Sequence, residues 1–171
     1  MRKLFYLSSL ALLASCAKQN PVPANSGGAV ISENEMEVSK NRTKELNTME
    51  RFQIQDWIKT QDTKYYPMGM NYWVNIENLA DLPRKNNGEK VSYQYDLYDF
   101  DRTKLYQSPI GNRDVVFGHF KEMDAVEDVI RYLKKGEEAE ILVPSVLAYG
   151  TYGDGKRISN DMPLIIKVKV L

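Results

Sequence analysis

The chain has 171 residues, 43% hydrophobic and 27% charged, a composition that suits one globular domain carrying extra segments at its ends. Lysine plus arginine equals aspartate plus glutamate at 23 each, and no basic stripe breaks that balance, so nothing in the charge recruits nucleic acid. Cys16 is the single cysteine, which excludes an internal disulfide and any cysteine-built metal centre.

In chain order, residues 1–15 read as a signal peptide. Arg2 and Lys3 supply a positive start, Leu4 to Leu13 an apolar run too short to span a bilayer, and small residues lead directly to Cys16. The "LASC" pattern resembles a bacterial lipoprotein signal, which implies cleavage before Cys16 and its acylation. Several acyl chains would then hold the protein at a membrane surface, each buried methylene contributing about 0.8 kcal/mol. Residues 16–35 are rich in Pro, Asn, Ser and Gly and read as a flexible tether starting from that acylated cysteine.

Residues 36–66 form a charged helical segment, with no Gly or Pro between Met36 and Lys64 and a ragged apolar stripe of Leu46, Met49, Trp57 and Ile58. That stripe leaves open whether the helix docks or projects as an arm. Because the β-rich pattern starts only at Asn71, the segment is expected to be dispensable for folding of the domain at 71–171.

From Asn71 onward the pattern is β. "NYWVNIEN" alternates Tyr72, Val74 and Ile76, and "KVSYQYDLYD" places Val91, Tyr93, Tyr95 and Leu97 on one face. Short strands are expected at Lys104–Tyr106 and from Val115. "DAVEDVIRYLKKGEE" predicts one helix with Val126, Val129, Ile130 and Leu133 on its apolar face and Gly136 as its stop. "AEILVP" and "PLIIKVKVL" close the chain as strands, with Leu164, Ile166, Val168 and Val170 facing one way. Several antiparallel strands wrapped on one short helix predict an α+β half-barrel.

"GEKVSYQYDLYDFDRTKLYQS", "VVFG", "GEEAEILVPSVLAYGTYGDGKRI" and "MPLIIKVKVL" together resemble the FKBP-type peptidyl-prolyl cis-trans isomerase domain, most closely over residues 88–171. The signal, charged helix and "MNYWVNIEN" segment ahead of them further resemble the gliding-motility-associated lipoproteins of that type. The resemblance implies an apolar, proline-binding pocket. Tyr149 of "AYG" would reach over it and donate to a peptide carbonyl, Tyr95 would form an aromatic wall, and Leu105 would stand where phenylalanine is usual. Met123 would open the central helix and offer its backbone N–H to the substrate. Ile158 would line the pocket, Ile166 would replace an aromatic residue, and Val126 would replace the tryptophan at the floor. Two further positions depart from the family: Tyr106 stands for an acidic residue and Arg113 for an aromatic one.

The implied chemistry is rotation about a prolyl bond, assisted by removing water from the imide and favouring its twisted form. It calls for no cofactor and no metal. Competing signals are thin. "GTYGDGKR" lacks the ending of a phosphate loop, Asp96, Asp99 and Asp101 lack calcium-loop spacing, and His119 is a lone histidine. Two functions follow as expectations. One is an isomerase acting on proline-containing polypeptides among exported proteins, those of gliding motility included, anchored in the cell envelope with its domain in the periplasm. The other is a non-catalytic FKBP-like binding module in a motility machine. Replacement Cys16→Ser should abolish metabolic labelling with fatty acid, and unchanged labelling would remove the lipoprotein assignment.

Overall fold

The computed structural model describes residues 32–171; the signal peptide, Cys16 and the tether up to residue 31 lie outside the described residues. Helix α1 spans Glu33–Lys59. Strands β1 (Tyr66–Pro67) and β2 (Trp73–Val74) are short, and β3 (Lys90–Tyr98) and β4 (Ile110–Val116) are long. Helix α2 (Asp124–Tyr132), β5 (Glu138–Val143) and β6 (Leu164–Val170) complete the chain. The strands form one antiparallel sheet in the order β1-β2-β5-β6-β3-β4, so the C-terminal strand lies at its centre between β5 and β3.

The α+β expectation holds, with differences of detail. Lys104–Tyr106 is not a strand; Lys104 makes only an isolated bridge to Tyr98. Strand β4 starts at Ile110, earlier than its apolar residues suggest, because its middle is exposed and reads as polar. Helix α2 ends at Tyr132 and leaves Leu133 as its cap, although Leu133 is still fully buried.

Alternation along the strands sorts the side chains into two cores. Val91, Tyr93, Tyr95 and Leu97 of β3, Ala139, Ile141 and Val143 of β5, and Leu164, Ile166, Val168 and Val170 of β6 pack toward α2, against Val126, Val129, Ile130 and Leu133. The opposite face carries a second cluster of Trp73, Leu142 and Ile165, which α1 covers with Ile54, Trp57 and Ile58. Met49, expected on the apolar stripe of α1, is instead exposed, and Ile54 takes the inward position at 1% exposure.

The docking of α1 is specific as well as apolar. Trp57 donates its indole N–H to the Phe100 carbonyl at 2.9 Å and meets the Phe100 ring edge-on at 5.0 Å. Arg102 lies over the Trp57 ring at 5.2 Å and pairs with Glu140 at 3.2 Å. Tyr65 donates to the same Glu140, and burial followed by that contact pushes its hydroxyl up to about 12. Further up the helix, the buried Glu50 carboxylate accepts from the Ser145 hydroxyl at 2.6 Å and from the Ser145 N–H at 2.8 Å. Ser145 opens the loop that leads to Tyr149.

Helix α2 is fastened on its polar side. Asp128 accepts from Tyr72 at 2.9 Å and Arg84 at 3.1 Å, and buried Arg131 donates to Asn87 at 2.9 Å and Glu127 at 2.6 Å while lying over Phe117. Both helices are therefore layers of one structure. Removing residues 17–64 would strip Trp73, Leu142 and Ile165 of their cover, which reverses the expectation of a dispensable arm. Such a deletion should lose its cooperative unfolding transition, and Ile54→Ala should cost about 2–5 kcal/mol in urea denaturation. A deletion protein with the full-length midpoint would show that α1 adds nothing to the fold.

Candidate peptide-binding pocket

The seven candidate residues come from five parts of the chain and belong to the one apolar cluster that faces α2. Tyr95 comes from the middle of β3, Ile166 from β6, Val126 from the first turn of α2 and Met123 from its N-terminal cap. Leu105 follows β3 and is held by its N–H to the Leu97 carbonyl at 2.9 Å. Tyr149 and Ile158 come from the long connection between β5 and β6. Tyr95, Leu105, Val126, Ile158 and Ile166 are buried in the α2-facing core, and Met123, Tyr149 and Tyr106 pack on it partly exposed.

The loop that presents Tyr149 is built around one aspartate. Asp154 Oδ1 accepts from the N–H groups of Lys156, Arg157 and Ile158 at 2.9, 3.0 and 2.9 Å, and Asp154 donates its own N–H to the Ile158 carbonyl at 3.1 Å. Its other oxygen accepts from the Tyr106 hydroxyl. Gly153 makes this fold-back possible. Its φ is +61°, and a Cβ there would lie 2.1 Å from the Ile158 carbonyl oxygen. Ile158 is thereby set into the core at 3% exposure.

Tyr106, at the position where the family resemblance calls for an acid, thus donates to a carboxylate of the loop that follows Tyr149. Arg113 is exposed on the edge strand β4, and no ion pair of it is formed among the described residues.

Sequence reading passed over Glu122, which lies just before α2. Its carboxylate accepts from the Tyr93 hydroxyl at 2.7 Å, the Tyr95 hydroxyl at 2.9 Å and the Met123 N–H at 2.9 Å. The Tyr93 and Tyr95 rings stack with centroids 6.4 Å apart, and Phe120 leans on Tyr93 at 5.8 Å. Burial first, then the Glu122 charge and hydrogen bond, pushes the Tyr95 hydroxyl far above its ordinary range. Tyr149 is raised as well, by burial and then by the charges of Glu122 and Asp154, so at neutral pH it is a protonated donor. No group among the described residues accepts from that hydroxyl. Met123, Tyr149 and Tyr106 thus border the same apolar cluster, and the Tyr149 O–H is unpaired among the described residues.

Asp154 also responds to acid in a defined direction. Desolvation opposes its charge, but the hydrogen bonds from Tyr106 and three backbone N–H groups outweigh that and hold the carboxyl well below the usual carboxylate range. A carboxyl depressed in the folded state contributes fully above its ordinary value of 3.8 and loses that contribution as pH falls toward the folded value. Order in the 153–158 loop should therefore persist through neutral pH and begin to fail below about pH 3.8, and Asp154→Ala should disorder it at pH 7. An Ile158 amide with unchanged chemical shift and exchange protection in Asp154→Ala would refute this assignment.

Three comparisons bear on this arrangement. The family described as FKBP-type peptidyl-prolyl cis-trans isomerase matches residues 83–171, just over half of the chain. A curated relative, the probable FKBP-type peptidyl-prolyl cis-trans isomerase FkpA of Neisseria meningitidis serogroup B, is 24% identical over 144 residues. That alignment takes in 82% of this chain and 49% of the relative, so the chain spans about half the length of the protein it matches. Among solved structures, a peptidyl-prolyl cis-trans isomerase from Pseudomonas syringae superposes with TM-score 0.54 at 16% identity, covering 75% of this chain and 93% of that one. FkpA from Escherichia coli superposes with TM-score 0.53 at 14% identity, covering 84% and 74%. At these identities the structural likeness speaks for the fold, while the match over residues 83–171 assigns the family: the chain belongs to the FKBP-type peptidyl-prolyl cis-trans isomerases.

Proposed function

We propose that this protein catalyses cis-trans isomerisation of prolyl bonds in exported polypeptides. The observation that carries the reading is Tyr149, whose hydroxyl is free to donate above an apolar cluster of Tyr95, Leu105, Val126, Ile158 and Ile166. A proline ring seated on that cluster would leave its imide without water. The planar form, which owes a barrier of about 18–20 kcal/mol to resonance, is the more polar one and loses more by that desolvation. A donor that meets the carbonyl in the twisted form then adds selective stabilisation. Met123 at the start of α2 would supply a second, backbone donor once its N–H leaves the Glu122 carboxylate. No step requires a nucleophile or a metal.

The same reading places the protein in the cell envelope, tethered through acylated Cys16 with the domain in the periplasm. There it would act on proline-containing segments of exported proteins, those of a gliding apparatus among them. A second reading, a non-catalytic binding module, is favoured by one observation: the Met123 N–H is already engaged by Glu122 at 2.9 Å. The small Val126 at the floor supports it too.

The test is a prolyl isomerase assay on the chain from residue 17 onward. Tyr149→Phe removes one hydrogen bond worth roughly 0.5–1.5 kcal/mol while keeping the ring, and should lower kcat/KM about two- to tenfold. Ile158→Ala should lower it further, since it opens the floor under the proline, with folding checked by circular dichroism. Large apolar residues before proline should be favoured over small ones. Isomerisation at the spontaneous rate for every peptide would leave the binding-module reading in its place.

A further inference from the structure

Glu122 is held in an unusual way for a surface carboxylate. Oε1 accepts two donors, the Tyr95 hydroxyl and the Met123 N–H, and Oε2 accepts one, the Tyr93 hydroxyl. Tyr93 is fixed in turn by the Asn112 amide, which donates to its oxygen at 2.9 Å. These donors sit on β3, β4 and the start of α2. A carboxylate has about four lone-pair sites, so one remains unfilled. Among the described residues no Lys, Arg or His approaches Glu122 within the 4.0 Å of an ion pair, although Arg113 and Lys121 are near in sequence. Asp96, Glu127, Asp128, Glu138 and Glu140 each have such a partner, whereas Glu122, like Glu50 and Asp154, is held by neutral donors.

A fixed, cation-free carboxylate beside the Met123 N–H has consequences for whatever enters. A segment lying over Met123 and Tyr149 covers Glu122 and takes water from it, and a charge that loses water without a partner is costly to bury. A cation on the segment offers the missing partner at the open lone pair. That open site is on Oε2, which accepts only the Tyr93 hydroxyl. A carboxylate on the segment does the opposite, since it adds a like charge.

We infer that Glu122 is a specificity-determining residue, selecting prolyl segments that carry Lys or Arg beside the proline over those that carry Asp or Glu. The inference rests on the pocket proposed above as the place where the segment binds.

The experiment uses the chain from residue 17 onward and peptides with Lys, Gln or Glu before proline. The wild-type protein should show kcat/KM at least tenfold higher for Lys than for Glu, with Gln between them, and the gap should narrow as salt rises. Glu122→Gln should bring the three peptides to within about twofold. Glu138→Gln removes the same charge from the far face of the sheet, where Glu138 pairs with Lys169 at 2.6 Å, and should leave the tenfold gap intact. A wild-type ratio near one, or an equal loss of the ratio in Glu138→Gln, overturns the inference. Binding of the same peptides, read from the Tyr93 and Tyr95 ring resonances, separates this result from the fate of the isomerase reading. Charge selection in binding that disappears in Glu122→Gln, without turnover of any peptide, upholds the selection and removes the catalysis. Binding without charge selection removes the selection whatever the turnover.

Discussion

Burial of one antiparallel sheet on both of its faces is the constraint from which the rest of the structure follows. Successive side chains of a strand point to opposite sides, so Ile141 and Ile166 face α2 while Leu142 and Ile165, their neighbours, face α1. In this chain each face has its own helix, α2 on one side and α1 on the other. The α2 side is the larger core and holds the pocket; the α1 side is smaller, and polar pairs such as Glu138 with Lys169 and Glu140 with Lys167 take over where the helix ends. The family match begins at residue 83, so the helix that completes the second layer comes from outside the segment common to the family.

That arrangement ties the two ends of the molecule together. Glu50 belongs to α1, yet its carboxylate holds both the hydroxyl and the N–H of Ser145, four residues before Tyr149. A buried carboxylate is worth keeping only where its hydrogen bonds are complete, and here they fix the entry of the loop over the pocket. The exit of the same loop is fixed by Asp154, which gathers three backbone N–H groups and the Tyr106 hydroxyl. Tyr149 is thus suspended between two anchored points, one on each side.

The proposed site joins apolar residues of the α2-facing core to two carboxylates, Glu122 and Asp154. Glu122 and Asp154 both act on the Tyr149 hydroxyl, and both secure themselves with neutral donors instead of cations. Neutral donors leave the negative charge in place for an incoming molecule to meet. On the proposed reading, that charge would distinguish this site from a purely apolar cleft in the segments it accepts.

Local periodicity was enough to read much of the fold from the sequence. The alternation of Val91, Tyr93, Tyr95 and Leu97, the matching alternation in β6, and the apolar face of α2 are each contained within one element, and the structure keeps them. The motif around "LAYGTYGDG" pointed to Tyr149 and Ile158, and through the family resemblance to Tyr95, Leu105, Met123, Val126 and Ile166, which converge in one cluster. What tertiary structure alone decided are pairings between residues far apart in the chain. Docking of α1 rests on Ile54, Trp57 and Ile58, of which the ragged stripe contained only the last two, and on Glu50, which looks like any surface glutamate until it meets Ser145 across 95 residues. Glu122 and Asp154 are equally ordinary in the sequence. A carboxylate carries no local signal of its partners; only the folded chain brings Tyr93, Tyr95 and Tyr106 to them, because hydrogen bonds act over about 3 Å of space without regard to separation along the chain.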